Sequence, residues 1–282
     1  MPNEVGINCS GPMTKFFQRE SPTIRPPAVA GSFYPDNPAE LRGMIEGFLR
    51  DVKPWEAPAP KAIIAPHAGY IYSGPIAASA FAQFAPARNV IKRVVVLGPS
   101  HWVPLRGLAT ASAQSWRTPL GEIPVDTEAL GQIGSLPQVH VLDNAHGREH
   151  SLEVELPFLQ VVLSEFSLVP LVVGDASDAE VAEVIERLWG GDETRFVISS
   201  DLSHYLDHTS ARKLDATTAR AIESLSPQDI SEKQACGRVP IRGLLRAAQQ
   251  HQLRARTLDL RNSGDTAGPR DQVVGYGAWA LG

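Results

Sequence analysis

Apolar residues follow two rhythms along this chain. Short unbroken runs, such as AIIA over 62–65, RVVVLG over 93–98, LVPLVV over 168–173 and RFVIS over 195–199, have the character of strands covered on both faces. Between them, apolar positions recur every three or four residues, the spacing of a helix face. The pattern predicts strands over 61–65, 92–98, 107–112, 167–173, 195–199, 254–260 and 273–280. It predicts helices over 75–85, 126–134, 151–164, 178–189, 210–224, 227–235 and 240–250. An earlier helix is announced by Asn37 as a cap, Pro38 at the first helical position and Glu40 as a capping-box acid. Its apolar face is Leu41, Met44, Ile45, Phe48 and Leu49, and the proline-rich KPWEAPAP over 53–60 ends it. SWRTPLGEIPVD, over 115–126, reads as a hairpin that adds antiparallel strands. The alternation points to one α/β domain over residues 25–282, with a mixed central sheet flanked by helices. Residues 1–24 are polar and lack a period, so they read as a loosely held extension, with Phe16 and Phe17 available to dock.

Composition narrows the function classes. Of the 282 residues, 43% are hydrophobic, enough for a full core, and the net charge is −5 with no run of five or more like charges. That balance argues against nucleic acid as the main partner, because phosphate binding needs a concentrated basic face. Cys9 and Cys236 cannot build a disulfide framework and suit a reducing compartment. The longest apolar stretch, over 156–174, is broken by Pro157, Gln160, Glu165 and Pro170, unlike a membrane span. The first 25 residues carry no secretory core. The expectation is a cytoplasmic protein acting on a small molecule.

The reactive residues sharpen this. His67, His101 and His204 each sit just past a predicted strand, at the sheet edge where α/β proteins bind ligands. One such histidine is more often a turn or core residue; three with acidic company point to a shared metal or acid–base site. In SSDLSH, a helical turn would place Asp201 and His204 on one face, with the carboxylate orienting the imidazole. The competing reading is that Asp201 caps the turn, with Ser199 and Ser200 as further capping groups. In HGREHSLEVELPFL, Ser151 is placed to cap a helix, Glu153 and Glu155 suit its positive end, and His150 lies just outside the cap. His140 and His146 lie in no motif and read as surface residues. Cys236 falls in a helix–helix junction beside Gly237, Arg238 and Pro240, where a helix amino end and a cation favour thiolate; a small buried filler is the alternative. No G-x-G-x-x-G, G-x-S-x-G, C-x-x-C or H-E-x-x-H pattern is present.

Eight motifs in order, AGSFY, APHAGYIYSG, LGPSHWVPL, TPLGEIPVD, EHSLEVELPFL, VGD, SSDLSHY and CGRVPI, carry a resemblance from about residue 27 to the carboxyl end. The chain resembles the Memo family, also called AmmeMemoRadiSam system protein B. That resemblance implies a fold like the class III extradiol dioxygenases, which hold non-haem Fe(II). It implies metal ligands at His67, His101 and Cys236, an acid–base histidine at His204, and Asp201, His150 and Tyr72 lining the same pocket. Iron is the implied cofactor, with copper or zinc as alternatives suited to a thiolate. The implied activity is an oxygenase acting on a small aromatic or enolisable substrate. A peptide- or metal-binding adaptor using the same cavity and a zinc hydrolase are the competing functions. The second family name implies association with radical-SAM and AMMECR-like proteins. Trp102 and Val239 stand where relatives can carry histidines.

Overall fold

A computed structural model describes residues 23–52 and 58–282. The expectations for residues 1–22, including Cys9, Phe16 and Phe17, and for residues 53–57 of the proline-rich stretch lie outside the described residues. In chain order the elements are β1 (Ile24–Arg25), α1 (Pro38–Arg50), β2 (Ala62–Ala65), α2 (Tyr70–Phe81), β3 (Arg93–Pro99), β4 (Leu108–Thr110), β5 (Ser115–Thr118) and β6 (Gly121–Pro124). There follow α3 (Thr127–Ile133), β7 (Val139–Val141), α4 (Asp143–Gly147), α5 (Leu156–Val162), β8 (Ser167–Val173), α6 (Asp178–Arg187), β9 (Thr194–Ser199) and β10 (His204–Leu206). The chain closes with α7 (His208–Glu223), α8 (Arg238–Gln250), β11 (Ala255–Asn262) and β12 (Val273–Leu281).

The chain is a single α/β domain around a mixed sheet. Its centre is parallel, in the order β2-β9-β3-β8. Antiparallel β12 and β4 flank that centre, and β11 and β10 pair with β12. The unbroken apolar runs follow from two-sided burial. Ile63, Val94, Val96 and Val197 pack under α1, α2 and α5. Their neighbours Ile64, Val95, Leu97 and Phe196 pack under α3, α6, α7 and α8. Each such side chain contributes about 1.5–3 kcal/mol on leaving water. The expected hairpin forms between β5 and β6, but in a separate small sheet with β1.

Several boundaries differ from the sequence reading. Helix α2 begins at Tyr70, five residues earlier than expected. Pro75 sits inside it near the amino end, where it forfeits one backbone bond. Asn37 caps α1 by accepting from Ala39 N and Glu40 N, without a returning bond from Glu40. The expected helix over 227–235 is only a 3-10 turn, Pro227–Asp229. Gln234 Oε1 accepts from both the amide and the hydroxyl of Ser231, which folds the following residues into turns. Ser151 does not cap a helix: its hydroxyl donates to Pro99 O at 2.9 Å.

The segment after β1 is held by a buried charge pair. Arg25 pairs with Glu153, both essentially inaccessible to solvent. Glu153 also accepts from Ala28 N (2.8 Å), Val29 N (3.0 Å) and the Tyr34 hydroxyl (2.6 Å). Arg25 donates in addition to the His146 and Glu149 carbonyls and lies over Trp116. Glu153 therefore serves as the anchor of this strap, whereas the sequence reading gave it a helix-end charge. Removing one member of a buried pair leaves the other without compensation. Glu153→Gln is expected to lower stability by about 3–5 kcal/mol. Urea unfolding checks this; a loss under about 1 kcal/mol would show the strap to be dispensable.

Candidate metal centre

Strand β9 lies between β2 and β3, so the turns leaving all three open at one edge of the sheet. His67 follows β2, His101 follows β3, and residues 200–203 follow β9. The two imidazoles meet above β9, with ring centroids 5.2 Å apart and planes at 80°. Cys236 comes in from the turn before α8, placing Sγ 3.4 Å from His67 Nε2. Gly237 permits that approach, because a Cβ there would lie 2.7 Å from Ser199 O. The potential ligand atoms of His67, His101 and Cys236 all fall within 4.8 Å of one another.

Hydrogen bonds settle which ring nitrogen each histidine offers. The Ser199 hydroxyl donates to Ser151 O at 2.6 Å, so its one proton is committed. His67 Nδ1, 2.6 Å from the same oxygen, must then be the donor, leaving the Nε2 lone pair facing Cys236. His101 Nδ1 donates to Glu149 Oε1 at 2.8 Å, which turns its Nε2 the other way. Such outer acceptors fix the tautomer and orientation of metal-binding imidazoles. Glu149 also accepts from the amides of His101, His150 and Ser151, at 2.6, 3.0 and 2.9 Å. Three of these four donors meet Oε1 and one meets Oε2, so the carboxylate chiefly orients His101 and the backbone of 149–151, while His101, Glu149 and His150 form a second grouping of potential ligands. Burial pulls the Glu149 pKa up, but the His101 ring and these amides outweigh it and hold it at about 2.

Of the other expected site residues, His150 and Asp201 contact this core directly. His150 stacks on His101 with centroids 4.7 Å apart and leans on Phe33. His204 lies near enough for its charge to act on both His67 and Asp201. Its Nδ1 donates to Leu202 O at 2.8 Å, leaving Nε2 without a hydrogen-bond partner among the described residues. Tyr72 is half-buried, and Tyr276 interacts with both it and Asp201. His204 and Cys236 share a cavity of about 540 Å³. Trp102 is exposed and carries the Arg148 guanidinium on its face.

Three expectations are corrected. Asp201 does not orient His204 from a helical turn: residues 201–203 form no helix, and the Asp201 carboxylate accepts from His67 N at 2.9 Å. It anchors the turn that carries His67, a role that neither reading of SSDLSH anticipates. Burial lifts its pKa to about 6, against the opposing pull of the His204 charge and the His67 amide. Cys236 is not predisposed to thiolate. Burial and then the Asp201 charge push the thiol to about 12. His146 is buried, packed edge-on against Trp116 and bonded to Ala109 O at 3.0 Å.

Glu149 and Ser199 are the positioning residues the sequence reading missed. Glu149 opens EHSLEVELPFL, but its partner His101 is 48 residues away, and nothing local marks the pair. Ser199 was read only as a capping group.

With this geometry in view, comparison with known proteins is decisive. A model of the Memo family, described as Memo-like protein, matches residues 25–280. The chain belongs to the Memo family. It is 37% identical over 265 residues to a MEMO1 family protein of Aquifex aeolicus, covering 90% of this chain and 97% of the relative. Memo proteins of Ignicoccus hospitalis and Sulfolobus acidocaldarius are 34% and 35% identical, with the same coverage of both chains. In this Memo protein no described helix is long and apolar enough to cross a membrane.

His146 gives a pH signature separate from the candidate ligands. Burial, countered in part by the Ala109 carbonyl, lowers its pKa from 6.5 to about 4. Above pH 6.5 neither folded nor unfolded protein binds this proton, so the residue is silent. Below 6.5 the unfolded chain takes the proton and the folded chain does not, so stability falls until pH is near 4. The loss amounts to about 3 kcal/mol. Urea titrations from pH 7 to pH 4 should show it in the wild type and a shallower slope in His146→Gln. Equal slopes would reject the assignment.

Proposed function

We propose that this Memo protein is a metal-dependent oxygenase, with Fe(II) held by His67 Nε2, His101 Nε2 and Cys236 Sγ. The reading includes a core related to the class III extradiol dioxygenases and a small aromatic or enolisable substrate. One observation carries it: two imidazoles spend Nδ1 on Ser199 and Glu149, and a potential ligand atom of each lies within 4.8 Å of the other and of the Cys236 thiol. The donor set fits a borderline transition metal, and three protein ligands leave positions open. When bound, iron supplies electron transfer with O₂ and Lewis acidity toward a chelating oxygen.

The chain's own residues supply the rest. His204 Nε2 takes the proton of a substrate hydroxyl. Leu202 O holds the opposite N–H and so steadies the imidazolium that results. The Asp201 charge acts on that cation favourably. His204 later returns the proton to the product, help worth about 10²–10⁴ in rate. His150, Phe33 and the buried His67 ring narrow access of water to one side. The buried thiol must lose its proton on coordination, so affinity rises with pH. Two histidines and a cysteine are also a catalytic zinc set, and metal identity separates that hydrolytic reading.

Elemental analysis after anaerobic Fe(II) loading, followed by O₂ uptake on a panel of catechols, tests the proposal. Wild type is expected to hold one iron, and His67→Ala and Cys236→Ser to lose most of it. His204→Gln should keep the iron and lose about 10²–10⁴ in rate. Full iron content in both ligand variants would overturn the ligand assignment; a fully loaded protein inert toward every catechol would overturn the oxygenase.

A further inference from the structure

We propose that the cavity beside the candidate centre takes a substrate with an apolar body and a single carboxylate, which the Lys233 ammonium holds. This rests on the metal reading only for the substrate's reacting end. The cavity, about 540 Å³, is lined by His204, Leu206, Leu214, Glu232, Lys233 and Cys236. Its chemistry is divided. Cys236 and the free Nε2 of His204 bring it to the ligand cluster. Leu206 and Leu214 give it apolar wall. Lys233 and Glu232, both exposed, supply charge from the turn before α8.

The lysine is what selects a ligand. Its ammonium has no hydrogen-bond or ion-pair partner among the described residues. Lys61 shows the contrary case. Its ammonium is spent on the carbonyls of Trp189, Gly191 and Thr194, at 2.5, 2.9 and 3.0 Å. An unspent ammonium on the wall of a partly apolar cavity favours an anionic group on whatever enters. Glu232 sets the number of charges. Its carboxylate, the neighbouring residue on the same wall, is equally unpartnered. Opposite charges side by side nearly cancel at a distance, so only a group in close contact with the ammonium gains. A compact monoanion meets that condition. A phosphate dianion carries more charge for Glu232 to repel.

A matched pair of probes tests this, 3,4-dihydroxybenzoate against catechol, which differ by one carboxylate. Calorimetric titrations use metal-free and Co(II)-loaded protein, with the visible spectrum of Co(II) reporting thiolate ligation. In either form the acid is expected to bind about fivefold tighter than catechol, the range of a solvent-accessible ion pair. Lys233→Met should bring the ratio to about one, and Glu232→Gln should widen it. Equal affinities in wild type, no measurable binding of the acid, or a preference that survives Lys233→Met would each overturn the proposal. An acid preference lost in Lys233→Met, with Co(II) showing no thiolate absorption, would support this site and sink the metal reading alone.

Discussion

Two imidazoles converge on one point only if each has its second nitrogen committed elsewhere. Everything at this sheet edge serves that requirement. Ser199, the last residue of β9, can accept from His67 because Ser151 O takes its proton. Glu149 can accept from His101 because three backbone amides keep it ionised and in place. Both arrangements draw on one short segment, residues 149–151, that crosses the ends of the strands. If that segment shifts, both rings lose their orientation together.

That dependence explains the effort spent on holding the segment. Arg25 reaches from β1 to the Glu149 carbonyl while its charge is matched by Glu153. Glu153 in turn ties down Ala28, Val29 and Tyr34, so the chain before α1 is clamped to the chain after residue 149. A buried ion pair is weak evidence of stability gained, since apolar packing can replace one without loss. Its value here is specificity of position. The pair fixes a backbone carbonyl and amide array that an apolar contact would leave free to slide. Glu155 is a different case. It is fully buried, and burial raises its pKa well above the usual carboxyl range, against the opposing pull of the nearby Ser199 hydroxyl. It packs as a neutral acid, beside Ser199 and Asp201, where a second negative charge would be costly.

The strands of the core were legible because two-sided burial writes itself as an unbroken apolar run. The ends of those strands were legible for the same reason, so His67, His101 and His204 could be placed at one edge before their contacts were known. What could not be read was anything decided across the sheet. Ser151 was placed well for a cap, yet its hydroxyl answers Pro99, 52 residues back. Asp201 and His204 have helical spacing, yet no helical turn follows β9, and the Asp201 carboxylate goes to the His67 amide instead. His146 lacked a motif and was read as surface, while Trp116 and Arg25 enclose it from distant parts of the chain. The helix expected over 227–235 gave way to a side-chain bond from Gln234 to Ser231, a local competitor that periodicity does not register.

Cys236 shows how a site's electrostatics can oppose the cues nearest to it in sequence. Arg238 and the amino end of α8 both favour a thiolate, but the sulfur lies behind His67 and near the Asp201 charge. Removing a charged sulfur from water outweighs a partial dipole and a solvated cation. Burial thus favours the thiol, whose proton can go to the Asp201 carbonyl at 3.5 Å or to His67 Nε2 at 3.4 Å. In the proposed reading, an incoming metal must displace that proton before the third ligand exists. A hard cation such as Mg²⁺ gains little from a sulfur donor and cannot offset the cost. A borderline or soft metal can, so the cost of deprotonating Cys236 becomes the means by which this edge of the sheet discriminates among ions.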